Sequence, residues 1–87
     1  MTNKKILDEQ SLAEIGEVLT TQLESAVKSW DVGMRYLKLN SSEYKRICAA
    51  GKKTQAAYDK MRLIACDMCG DEFANKHFPH ECLNAFN

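Results

Sequence analysis

The 87 residues carry twelve basic and twelve acidic side chains and four cysteines, which bounds the chain to one small domain with a small core. A formal net charge of zero excludes a protein that holds nucleic acid by bulk charge alone. Met1 to Leu7 has no secretory h-region, and no apolar run approaches the roughly 18 residues of a membrane span, so a soluble, intracellular (cytoplasmic) protein without a membrane partner is expected.

Residues 1–10 read as a polar, mobile lead. A long helix is expected from Ser11 to about Lys38, started by a capping box of Ser11 with Glu14. Within it Leu12, Ile15, Leu19, Leu23, Ala26, Val27, Trp30, Met34 and Leu37 recur at three- and four-residue steps and form one apolar stripe. Gly16 is tolerated inside the helix. Trp30-Asp31-Val32-Gly33 is the place where it would bend.

Asn40-Ser41-Ser42-Glu43 reads as a turn with Asn40 as the second cap. The next helix has its stripe at Tyr44, Ile47, Cys48, Gly51, Thr54, Tyr58, Met61, Ala65 and Met68, with Gly51 as its weak point. Two long helices joined by so short a turn must pack antiparallel. The expected class is all-α, a helical hairpin over residues 11–65 followed by a zinc-binding knuckle over residues 66–87.

The zinc expectation rests on spacing. Cys66 and Cys69 stand two residues apart with Gly70 directly after, and His77, His80 and Cys82 supply further donors. Cys66, Cys69, His77 and Cys82 are the first choice of ligands for a structural Zn2+, with His80 in reserve. Proline at position 79 suits the first turn of a short closing helix, Pro79 to Phe86. The competing reading is a set of reduced thiols or a redox pair at Cys66 and Cys69; glycine after the pair and a long helical pattern before it favour metal. Cys48, beside Ile47 on a helix, reads as a buried and unreactive thiol.

Charge is unevenly spread. Residues 1–31 and 66–87 each carry a net of minus 3, and residues 32–65 carry plus 6. Lys45, Arg46, Lys52, Lys53 and Lys60 share an arc of about 120° on the second helix, a face suited to phosphates or to an acidic protein surface. Catalysis has no comparable support. There is no H-E-x-x-H, and no H-x-E paired with P-C-x-x-C, so the protein is not expected to be an enzyme.

A helical hairpin followed by Cys66-Asp-Met-Cys69-Gly70-Asp-Glu-Phe73 resembles the DksA/TraR family of RNA-polymerase-binding proteins. The resemblance covers those eight residues and the general layout, without the family's second C-x2-C, and it implies a regulatory use of such a layout. The expected function is therefore a small, non-enzymatic zinc protein that acts as a protein–protein interaction or regulatory module, inhibition of a partner included. The alternative is a nucleic-acid-binding transcriptional regulator that uses the Lys45 to Lys60 face with the knuckle. A homodimer in the form of a four-helix bundle is expected if Val18, Trp30 or Met34 stays uncovered.

Overall fold

The computed structural model of the protein describes residues 7–83, 85 and 86. Most of the expected mobile lead, residues 1–6, lies outside the described residues. Helix α1 runs Glu9–Tyr36 and helix α2 runs Ser42–Cys69. They pack against each other as the expected hairpin.

The caps fall one step away from their expected places. Asp8, not Ser11, caps α1: its carboxylate accepts from the Ser11 N–H at 2.8 Å, and the Ser11 hydroxyl accepts from the Asp8 N–H at 2.9 Å. Those hydrogen bonds hold the Asp8 carboxyl below its usual range. At the turn, the Ser41 hydroxyl accepts from the Tyr44 N–H at 3.3 Å and takes the cap from Asn40. Neither Trp30–Gly33 nor Gly51 interrupts its helix. The indole of Trp30 donates to the Tyr44 hydroxyl at 3.1 Å and joins the two helices near the turn.

Beyond Cys69 the chain departs from the expected layout. Cys66 and Cys69 form the last turn of α2. Gly70 then adopts φ 92°, a left-handed value that only glycine takes at low cost. It reverses the chain into a third helix, α3, Asp71–His77. The expected closing helix from Pro79 to Phe86 is replaced by a single 3-10 turn, His80–Cys82. Proline at 79 has an extended ψ of 136° and so precedes that turn without beginning an α-helix.

This tail folds back over one face of the hairpin and completes the core. Leu23, Tyr58, Ala65, Ala74 and Phe78 bury together, with Ile15, Leu19, Met61, Phe73, Leu83 and Phe86 packed around them. Two glycines set how closely the tail can lie. A Cβ on Gly16 would run into the His77 carbonyl oxygen and stand 3.0 Å from the Phe78 ring. A Cβ on Gly51 would occupy the place of the Phe86 ring. Phe86 also meets Trp30 edge-on, with centroids 6.4 Å apart, so α1, α2 and the tail meet at one aromatic contact.

Candidate functional site: the thiols, the tail latch and the open face

The five expected metal donors occupy different places along the fold. Cys66 lies half-buried against the core, with its sulfur 3.7 Å from Arg62 Nη1. Cys69 ends α2, and burial, reinforced by the negative charge of Glu9, pushes its thiol up. His77 ends α3, its ring tilted on Phe73 with centroids 4.6 Å apart. His80 is exposed. Cys82 is beside the middle of α2, where its carbonyl accepts from Gln55 Nε2 at 3.1 Å.

From Gln55 to Cys69 the helix climbs about 21 Å at 1.5 Å per residue. A zinc ion holds its sulfurs at about 2.3 Å. Cys82 and Cys69 therefore cannot share an ion in this fold. Among the described residues no three His, Cys, Asp or Glu side chains are placed to hold a metal. The donor set does not fit the closed tetrahedral shell that the spacing suggested.

What converges at the tail is a set of hydrogen bonds. Gln55 is buried at 3 % exposure and nearly satisfies its amide: Nε2 donates to Asp59 Oδ1 at 2.8 Å and to the Cys82 carbonyl, and Oε1 accepts from the Phe86 N–H at 3.2 Å. The Tyr58 hydroxyl donates to the Pro79 carbonyl at 2.5 Å. Arg62 donates from Nε to the Phe78 carbonyl at 3.2 Å and from Nη2 to Asn75 Oδ1. Three side chains on α2, at positions 55, 58 and 62, thus lie one turn apart on one face and hold the tail carbonyls of Cys82, Pro79 and Phe78.

Burial shapes the acid–base behaviour of this latch. It pushes the Tyr58 phenol well above its usual range, and the neighbouring Cys82 thiol adds to the effect. Burial also pushes the Cys82 thiol up, opposed by the nearby Tyr58 hydroxyl. Both groups stay protonated at neutral pH, and Cys82 is a poor nucleophile there. Of the latch residues only Tyr58 belongs to the stripe read from sequence; Gln55 and Arg62 were missed. The available signal was Gln55, a polar residue one turn before Tyr58 and one turn after Gly51 on the same face.

Lys45, Arg46, Lys52, Lys53 and Lys60, five of the six cations of α2, are each exposed. Among the described residues the one ion pair is Arg35 with Asp31, at 2.8 Å, so the basic face carries no internal carboxylate partner. Helix α1 has five acids against two bases and helix α2 has six bases against three acids, so the two helices are charged minus 3 and plus 3. Cys48 is half-buried and not fully enclosed.

The face of the hairpin away from the tail is uncovered. A groove of about 570 Å³ there is lined by Ile15, Val18, Leu19 and Gln22 of α1 and by Ala57 and Met61 of α2, with Ser11 and Glu14 at its end. Nearer the turn a second hollow is lined by Val32, Gly33, Tyr36 and Ile47 with Lys28, Ser29 and Leu37. Neither includes a residue of α3 or the tail. Among the described residues no helix is long and apolar enough to cross a membrane.

No protein-family description, curated protein or solved structure matches the chain.

Proposed function

We propose that this chain is a small, non-enzymatic interaction module, a helical hairpin latched on one side by its own tail and presenting its other side to a protein partner. The observation that carries the reading is the open face, where two helices of full length leave apolar side chains in solvent. Exposed apolar surface of this extent, set between charged rims, marks interaction sites. The polar groups that converge, Gln55, Tyr58 and Arg62, are occupied in holding the tail, which supports a structural and not a catalytic use of them.

Zinc is not part of this proposal. The core closes around Tyr58 and Phe78 and the tail is tied by hydrogen bonds from α2, which supports a reading in which α2 staples the small domain without a metal. The test is affinity capture from a cell lysate with the wild-type chain and with Ala57→Glu, an exposed position in the open groove. A partner held by the first and lost by the second supports the module. Identical capture by both removes the open face from the reading.

A second reading has its own observation, the unpaired row of Lys45, Arg46, Lys52, Lys53 and Lys60 along α2. It proposes a phosphate-backbone contact and a regulatory role on nucleic acid. Retardation of DNA or RNA that weakens with salt, and is lost in the Lys52→Glu/Lys53→Glu double variant, supports it. No retardation at low salt removes it.

A further inference from the structure

The open face continues the hairpin's own seam, where Ile15, Met61 and Ile47 already pack, into a pattern wider than that seam. On α1, Ser11, Ile15, Val18, Gln22, Ser25, Ser29, Val32 and Tyr36 alternate in steps of four and three. On α2, Ile47, Ala50, Thr54, Ala57, Met61, Ile64 and Met68 do the same. Spacing of this kind is the seam of helices packed at a shallow crossing angle. Leu12 and Leu23, which are buried, lie on a different line of α1. Members of both stripes line the two hollows that no residue of the tail enters: Ile15, Val18, Ala57 and Met61 at one, Val32 and Ile47 at the other. Val18 is 56 % exposed, Val32 48 %, Tyr36 77 % and Met68 51 %.

We propose that the occupant of this face is a second copy of the chain, in a four-helix bundle whose twofold axis runs parallel to the helices. The inference rests on the interaction-module reading and names its partner. Two stripes on two neighbouring helices ask for two helices in return, and a second hairpin supplies both.

Charge selects the arrangement. An axis along the helices stacks each α1, charged minus 3, on the partner's α2, charged plus 3, and makes that pair antiparallel. An axis across the helices would stack α1 on α1 and α2 on α2, like on like.

Side-chain character selects it as well. Val18 and Met61 line the same end of the face, and Val32 and Ile47 the other. With the axis along the helices, heights are kept, so Val18 meets the partner's Met61, Ile15 the partner's Ile64 and Val32 the partner's Ile47. Between them the small residues Ser25 and Ser29 meet the partner's Thr54 and Ala50, where the helices can approach closely. With the axis across the helices at the middle of α1, Ile15 and Val18 would fall near Ser29 and Ser25. On the rim, Glu14 lies about 7 Å along the axis from the partner's Lys60, a span the two long side chains can bridge.

Sedimentation velocity of the full chain over a wide concentration range tests the proposal. A reversible dimer is expected. Ala57→Glu, whose site is exposed in the single chain, is expected to keep the circular dichroism of the wild type and to weaken the dimer by at least about tenfold, since it buries a charge in the seam. Glu14→Lys is expected to loosen the dimer, and Glu14→Lys/Lys60→Glu to restore it. A chain that is monomeric at every concentration overturns the proposal, and so does a dimer indifferent to Ala57→Glu. A monomer that still captures a foreign protein in an Ala57-dependent way overturns the second copy and leaves the module standing.

Discussion

Replacing Gly16 by alanine sets a local gain against a packing loss. In a helix interior alanine is favoured over glycine by about 1 kcal/mol, and Gly16 lies well inside α1. The new methyl, however, would collide with the His77 carbonyl oxygen and sit 3.0 Å from the Phe78 ring. Carbon contacts are comfortable at roughly 3.5–4.0 Å, so the end of α3 would have to retreat by about 1 Å. The obstacle is backbone and cannot rotate away, and Phe78 is fully buried. Overpacking of this kind costs about 1–3 kcal/mol; the upper part of that range leaves a net loss of about 1–2 kcal/mol, or roughly 5–15 °C in Tm for a domain of this size. Gly33→Ala is the control. Its methyl would meet the far end of the flexible Ile47 side chain at 3.2 Å, so the helical gain is expected to survive and Tm to hold or rise. Urea denaturation of both variants at neutral pH decides the matter. If Gly16→Ala is as stable as Gly33→Ala, α3 is not seated on α1 and the tail latch is misplaced.

Gln55→Ala is expected to lower stability by about 1–3 kcal/mol, because it leaves the Cys82 carbonyl and the Phe86 N–H without their partner; proteolysis that cuts the variant's tail no faster than the wild type's would count against this. Phe86→Ala is expected to change Trp30 fluorescence and to cost about 1–3 kcal/mol, since the ring is only half-buried but fills the seat at Gly51; an unchanged emission spectrum would count against the aromatic contact. The raised thiol of Cys82 and raised phenol of Tyr58 make stability depend on alkaline pH. Each favours its protonated form more in the folded chain than in the unfolded one, so stability is whole below the ordinary thiol value of 9.0 and falls as pH rises above it. A flatter decline of Tm above that point in Cys82→Ala than in wild type is expected, and equal slopes would refute the assignment. Chelation is expected to leave helical circular dichroism unchanged; one equivalent of bound zinc with loss of helix on chelation would instead require the tail to be rebuilt around a metal.

The long periodic stretches were legible because their signal repeats. Leu12, Leu23, Tyr58 and Ala65 were each placed on a core stripe by spacing alone, and each is buried. The boundary of α1 was ambiguous for a specific reason: Asp8, Ser11 and Glu14 are three residues apart in turn, so two capping boxes overlap, and the earlier one is formed. The tail is the least legible part of the sequence because C-x2-C has two meanings. Residues three apart share a face of a helix as readily as they share a metal, and nothing in positions 66 to 69 distinguishes the two. The discriminating residues stand elsewhere, in Phe73, Ala74 and Phe78, which supply an apolar edge for α3, and in Gly16, which gives that edge a place to lie.

Two of the three glycines inside the long helices, Gly16 and Gly51, show why local reading stops short. By propensity alone each is a defect costing about 1 kcal/mol, and Gly51 was read as the weak point of its helix. In the fold each is where another segment comes closest, His77 and Phe78 at Gly16, Phe86 at Gly51. Those contacts join residues far apart in sequence, and no window along the chain contains both partners. The same reasoning bears on the open face. Its stripes at Ala50 and Ala57 on α2 and at Gln22, Ser25 and Ser29 on α1 are poor in large apolar residues, which is why they stand out less in sequence than the richer core stripes. Small side chains at regular heptad spacing weaken an isolated surface as a hydrophobic signal, but they let helices approach closely. A middle section of small residues flanked by Val18 with Met61 at one end and Val32 with Ile47 at the other is shaped for a helix pair set close at the centre and held at its ends.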